Sequence, residues 1–426
     1  MRSFLLLASL TIACNASDDP GTAAAPDATA TPEASGDVAV NIGGCDGWAA
    51  ECMRVQKGCV GAVAAESPRC ELCPEGQAPT LPYAQCAPIP GELHLHDFGD
   101  ITLEVGQEHD GWCQSWELNN AEELWVNAVE FRSGGGYHHS NWFFTPMGDT
   151  PLTDEKTGEK SEYPKGLWKG CYNQGFHEVD AALKGGVLFA QSTQVVRDLQ
   201  KFSTGAAVRI PPWSRIIGAT HLLNVYGEKR TTNLKMAIWT IPAADVTVKL
   251  SPFRLSYTDL AIPKGAKADY TGTCDFEKAY GDIAPDDAGP FALKLYYALP
   301  HYHKLGRAFR LAYKGGAKDG ETIFEQGAFN PDPFGHVFDP PIDLAQGQGV
   351  TFTCGYDNVL DKDVVWGIGD NEMCVMLGFA ASPLAFDATV GQTDTTETTG
   401  DVRKSQGACG VLAFPFLQDK EGGKAP

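Results

Sequence analysis

From about residue 93 the chain is written in short alternating runs and nothing longer. "ELWVNAVEF", "LKMAIWTI", "FALKLYYAL" and "AFRLAY" carry β-branched and aromatic residues, separated by clusters of Gly, Pro, Asn and Asp. Successive side chains of a strand point to opposite faces, so this alternation gives each run one face for a core. No long stretch has a 3.6-residue period, so helices cannot supply that core. Many short strands broken by turn residues predict β-sandwiches. A chain of 426 residues is also too long for one core. The texture breaks around "SPFRLSYTDLAIPKGAKADYTG", which divides the region into two parts of similar size. We therefore expect an all-β fold of two tandem antiparallel, jelly-roll-like sandwiches, over 93–250 and 251–420. No period of 20–50 residues marks a solenoid.

The region before residue 93 reads differently. Arg2 and the short apolar run Ser3–Ile12 have the form of an export signal, too short to span a bilayer as a mature helix. The signal is expected over 1–14. Its end, "LTIAC", resembles a bacterial lipobox, with Cys14 as lipid acceptor and Thr11 where a larger apolar residue is usual. An ordinary secretory signal cleaved nearby is the other reading. There are 13 cysteines, and committing Cys14 to lipid leaves an even number for an oxidising compartment. Residues 15–40, rich in Ala, Pro, Thr, Asp and Gly, cannot bury a core and read as a flexible linker. Residues 41–92 hold Cys45, Cys52, Cys59, Cys70, Cys73 and Cys86 and read as a small disulfide-stapled module of open connectivity. A zinc knuckle on Cys70-x-x-Cys73 competes with that reading, against the tendency of exported thiolates to oxidise. The expected location is outside the cytoplasm, periplasmic or at the cell surface, with the membrane touched only through a lipid anchor. A net charge of −21 argues against nucleic acid as a partner.

Six residues carry the candidate chemistry. They are His138 and His139 in "GGGYHHSNWFF", His221 in "GATHLLNVYG", His301 and His303 in "LPHYHKLG", and Met373 in "GDNEMCVML". His301 and His303 lie two apart after a strand-like run, so both rings share a face. His94 and His96 repeat that spacing and are read as incidental. His138 and His139 are adjacent, so a regular strand would point them apart. The preceding Gly134-Gly135-Gly136 could supply the irregular backbone that turns both inward. His221 and Met373, each taken singly, read more readily as packed side chains than as ligands. Together the set offers three imidazoles at one site and two imidazoles with a thioether at the other. Thioether sulfur beside imidazole suits Cu(I).

In this order the four segments resemble the copper type II, ascorbate-dependent monooxygenases, the family of peptidylglycine α-hydroxylating monooxygenase and dopamine β-hydroxylase. The resemblance spans roughly residues 93–415. It implies that His138, His139 and His221 hold an electron-donating copper, and that His301, His303 and Met373 hold the catalytic copper that binds dioxygen. The activity it implies is hydroxylation of an aliphatic C–H of a small-molecule substrate. The other reactants would be O₂ and a reductant such as ascorbate, with electrons crossing a solvent-filled cleft between two copper ions. It further implies the disulfides Cys113–Cys171 and Cys354–Cys374, leaving Cys274 and Cys409 to staple the second sandwich. Thr145 stands where the family has a further cysteine. Peptide-processing members read a substrate carboxylate through an arginine, an asparagine and a tyrosine at positions that are Leu299, Val375 and Leu377 here. Apolar residues pair poorly with a carboxylate, so a peptidylglycine is not the expected substrate. The other function open to the same ligands is a non-catalytic copper-binding or storage lipoprotein.

Overall fold

The computed structural model describes residues 76–79 and 86–415, apart from 80–85 and the short stretches 149–151, 155–156, 164–165, 169, 173–174, 192–196, 225, 285–288, 328–334 and 368–370. The export signal, Cys14, the linker and most of the cysteine-rich module lie outside the described residues. The chain is all-β, as its alternation predicts. Its two α-helices among the described residues, Glu178–Lys184 and Phe276–Ile283, are short. None is long and apolar enough to cross a membrane.

Two sandwiches follow one another. In the first, one sheet runs in the order Gly186–Gln191, Tyr137–Pro146, Ser214–Leu223, Glu108–Glu117, Gly166–Trp168. It faces a sheet ordered Val248–Lys249, Ala206–Ile210, Leu124–Ser133, Arg230–Thr240, Glu92–Leu103. Phe98, Phe131, Trp142 and Phe144 fill the space between them. In the second sandwich, the sheet His336–Asp343, Lys294–His301, Val375–Ala381, Ser251–Tyr257, Leu384–Val390, Gly410–Pro415 covers a second sheet. That sheet runs Thr322–Gln326, Gly306–Lys314, Gly349–Asp357, Lys267–Asp275, Val402–Ala408, Thr395–Thr399. Phe253, Tyr257, Tyr270, Phe309 and Phe352 form its core. Strand Lys267–Asp275 shows the governing pattern plainly: Ala268, Tyr270, Gly272 and Cys274 are inside, and the residues alternating with them are half-exposed. The pairing is antiparallel with a few parallel exceptions, such as Ser251–Tyr257 beside Leu384–Val390 and Lys267–Asp275 beside Val402–Ala408.

Strand Lys294–His301 breaks the one-face rule: every residue after Lys294 is buried. A register shift between Leu295 and Tyr297 resets its faces. Leu295 and Ala298 then enter the second sandwich's own core. Tyr297 and Leu299 pack instead with Phe202 and Leu250 of the first sandwich. The neighbouring strand does the same. Met376 and Ala380 point to the second core, while Leu377, Phe379 and Ala381 join the inter-sandwich cluster. Phe202 is the centre of that contact, 5.1 Å from the Phe379 ring and 6.1 Å from the Tyr297 ring, centroid to centroid. Each such buried aromatic or leucine contributes roughly 1.5–3 kcal/mol, so the two sandwiches are held by an apolar seam.

Among the described residues the disulfides are Cys113–Cys171, Cys274–Cys409 and Cys354–Cys374, the pairs expected for the two sandwiches. One part of the 41–92 region is described. Strands Gln77–Pro79 and Cys86–Pro88 pair as a hairpin. Ala78 and Ile89 pack on Ala128, Ala237 and Trp239 of the first sandwich, and Arg197 Nη2 donates to the Gln77 carbonyl. This end of the cysteine-rich region is thus seated on the sandwich.

Candidate metal centre

The first group of ligands is made by defects in a sheet. His139 is paired across the strands with His221, and Tyr137 with Leu222, with a register shift between His221 and Leu222. His138 is therefore the extra residue of a β-bulge, which removes the geometric objection to two adjacent histidines serving one site. On the other side of His221 a second shift sets Thr220 opposite Trp112 and Leu222 opposite His109, which leaves Asp110 and Gly111 facing His221. Gly111 has φ of 68°, and a Cβ there would meet the Tyr172 ring at 2.1 Å, so only glycine fits this bulge. The histidine strand thus lies between two irregular neighbours. The ring centroids are 5.3 Å apart for His138–His139, 5.0 Å for His138–His221 and 4.7 Å for His139–His221. One nitrogen from each ring falls within 4.8 Å of the other two, as one metal requires.

The second group is made at a strand end. Tyr297, Leu299 and His301 alternate onto one face, so His301 continues the face that meets the first sandwich. After it the chain turns through His303. The His303 backbone N–H and that of Leu305 both donate to the Glu372 carboxylate, each at 2.8 Å. His303 Nδ1 donates to the Asn371 carbonyl at 2.7 Å. These bonds bind residues 371–372 to the turn and bring the half-buried Met373 beside it. Val375, two residues on, pairs directly with His301. The Met373 carbonyl accepts from the Tyr356 hydroxyl at 2.7 Å, and Cys374 is tied to Cys354.

The two groups meet. His139 and His301 lie 6.0 Å apart and His138 and His303 6.5 Å apart, centroid to centroid. Those separations are close to the ones within each group. The resemblance implies two coppers facing each other across a solvent-filled cleft; the described residues instead bring the rings of both sandwiches into one cluster. Leu299, at a position where peptide-processing members of the resembled family read a substrate carboxylate, is buried in the apolar seam, with Leu377 packed against the same cluster. The other His-x-His copy takes no part. His94 bonds Thr240 Oγ1, and His96 stacks on Trp116.

Burial favours the neutral form of four of these rings. Burial, aided by His221 and His303, pushes His138 down to about 3. Burial likewise holds His139 and His301 well below the usual imidazole value, with the neighbouring rings adding to it. His303 is lowered by burial, against the hydrogen bond to Asn371. Neutral imidazole is the form that binds metal. Two ring nitrogens, His138 Nδ1 and His303 Nε2, are buried with no hydrogen-bond partner. Since Nδ1 of His303 donates to Asn371, its Nε2 carries a lone pair aimed at nothing in the protein. A bare buried acceptor is costly, and a bound cation relieves that cost. His221 has the backing ligating imidazoles commonly have: its Nε2 lies 2.7 Å from Glu108 Oε1 and its Nδ1 3.0 Å from His139 Nε2. The converging imidazoles are a donor set that copper accepts, and a thioether such as that of Met373 is a further donor suited to Cu(I).

Two acidic side chains of this centre were not found by reading the sequence. Glu372 is fully buried, and burial pushes it up to about 7 against its hydrogen bonds from Leu305, His303 and Met373. A charged residue beside a candidate ligand was the only signal for it. Glu108 reaches His221 only through the pairing of two strands more than a hundred residues apart, and no local pattern marks it.

The fold and site together define a class: an all-β protein with a histidine-rich centre where two sandwiches meet. No known family's sequence profile matches the chain, and no curated protein matches it. Solved structures that resemble it are viral coat proteins. The major capsid protein P2 of bacteriophage PM2 is 8% identical over 67% of this chain and 98% of its own, with a TM-score of 0.26. A chain from Sulfolobus turreted icosahedral virus is 9% identical over 69% and 92%, with a TM-score of 0.27. A chain of the empty cowpea mosaic virus particle is 9% identical over 67% and 89%, also at 0.27.

Proposed function

We propose that this protein is an exported, lipid-anchored dicopper monooxygenase. Its substrate would be a small, weakly polar molecule, hydroxylated at an aliphatic C–H with O₂ and a reductant such as ascorbate. The observation that carries the reading is the convergence of five imidazoles from the two sandwiches, two of them with orphaned nitrogens. His138, His139 and His221 would hold one copper, and His301, His303 and Met373 the other. Copper, when bound, supplies one-electron chemistry and activation of dioxygen.

The chain's own residues do the positioning. Asn371 fixes the His303 tautomer so that Nε2 faces inward. Glu372 locks the turn that presents His301 and His303 to the segment bearing Met373. Glu108 orients His221. Val375, half-buried and paired directly with His301, would favour an uncharged substrate over a carboxylate at this point. The disulfides fit an oxidising compartment.

The test is ascorbate-driven O₂ consumption by the copper-loaded protein over a panel of small C–H compounds, with a peptidylglycine included. Coupled hydroxylation of an uncharged compound, with the peptide a poor competitor, is the expected result. Stoichiometric copper without reductant-dependent turnover would leave a copper-storage protein. Efficient peptide turnover would show that another residue reads the carboxylate.

A further inference from the structure

The two ligand groups are too close to act as separate sites. We propose that they form a single compact centre, in which the copper on one sandwich is the immediate, magnetically coupled neighbour of the copper on the other. This inference rests on the two-copper reading above.

Three independent features support it. Cross-sandwich ring separations of 6.0 and 6.5 Å exceed those within the first group, 4.7 to 5.3 Å, by little more than an ångström. A nitrogen–metal bond is about 2 Å long, so rings this close leave no room for a broad water layer between bound metals. Second, both orphaned nitrogens belong to one cross-sandwich pair, His138 and His303. Third, the spacing is built in. Tyr297, Leu299 and His301 share one face of one strand, and the first two are buried in the seam around Phe202. To separate His301 from His139 the molecule would have to expose that seam to water. Two cations side by side repel, and carboxylates beside the first group offset this: Glu108 contacts His221 and Asp110 faces it across the bulge.

The experiment is electron paramagnetic resonance on the full chain loaded with Cu(II), with spin counted against metal analysis of the same sample. A compact centre gives two coppers per chain, a half-field transition, and loss of most of the visible spin relative to the metal. The variant His301→Ala/His303→Ala, keeping only the first group, should bind one copper and recover its full spin as an isolated signal. Two coppers per chain with undiminished, isolated signals in the wild type would overturn the compact centre and leave the two-copper reading intact. A single copper per wild-type chain would overturn both. X-ray absorption on the wild-type protein gives a second reading that needs no variant: a copper–copper scatterer supports the proposal, and its absence at full loading counts against it.

Discussion

The two halves of the centre solve the same problem by opposite means. In the first sandwich three imidazoles converge from adjacent strands in the middle of a sheet, where regular pleating would scatter them. Two bulges, at His138 and at Asp110-Gly111, do the aiming. In the second sandwich pleating helps, because His301 is already on the correct face. The difficulty lies in the turn beyond it, which no sheet holds. There a buried carboxylate, a disulfide and a side chain–backbone bond fix the geometry. A site inside a sheet is rigid through its ladder, whereas one at a strand end depends on a few groups, each of which can be removed.

The contrast can be broken most directly by emptying one half. His138→Ala together with His139→Ala should halve the copper bound, from two ions per chain to one. In the reduced protein the remaining copper should keep a sulfur scatterer that Met373→Ile removes. A sulfur signal that survives Met373→Ile would reassign the ligand.

The next largest effect is expected at Glu372. Glu372→Ala strands the N–H groups of His303 and Leu305, at about 1–3 kcal/mol for each buried donor. Denaturant unfolding should show that loss, and metal analysis should show copper leaving the second group while the first stays filled. Equal loss from both groups would mean that the halves are not held separately. Cys354→Ser with Cys374→Ser should cost roughly 3 kcal/mol, with the same bias toward the second group.

The pH dependence of the metal-free protein sharpens the comparison further. His138, His139, His301 and His303 have folded pKa values below the ordinary 6.5. The unfolded chain therefore binds more protons below that pH, and stability from these rings is lost as pH falls from 6.5 toward, for His138, about 3. Glu372 runs the other way. Its folded value of about 7 lies above the usual 4.5, so its contribution falls as pH rises between them. Asp110 and Glu178, also raised by burial, act in the same sense as Glu372; the four rings outweigh these three carboxyls, and the melting temperature should climb from pH 4.5 to 6.5. Glu372→Gln removes part of the opposing slope, so its climb should be steeper. A flat profile in both would contradict the burial argument.

The smallest effect is expected at Glu108. Its carboxylate is partly exposed and acts through His221, so Glu108→Gln should weaken copper at the first group by about tenfold. Competition with a chelator should show no change at the second.

Much of this molecule is legible in its residues. The alternation in "LKMAIWTI" already gives Leu234, Met236 and Ile238 one face, which is the one packed in the sandwich core, whereas "SPFRLSYTDLAIPKGAKADYTG", read as a break, holds strand Ser251–Tyr257 and the start of Lys267–Asp275. The rings of His301 and His303 do lie together, 5.1 Å apart, although His303 sits in the turn past the strand. The family resemblance brought the disulfide pairs with it. Reading stopped where a pattern ceased to be local. Gly134–Gly136 pointed to irregular backbone near His138, but the bulge opposite His221 at Gly111 depends on a partner strand that the sequence does not name. Leu299 reads as part of a substrate pocket because it stands where peptide-processing members of the resembled family carry an arginine, yet the face it shares with Tyr297 is covered by Phe202.

By itself, then, the sequence determined the strands, the division into two sandwiches and the identity of the imidazoles, because two-residue periodicity and ligand chemistry are properties of single segments. Only the tertiary structure decided that the two ligand groups lie side by side. That depends on which sheet face meets which, through a seam between residues up to nearly two hundred positions apart, such as Phe202 and Phe379. A shift of one residue in register, like the one between Leu295 and Tyr297, would turn His301 away from the first sandwich and leave every local pattern as it was.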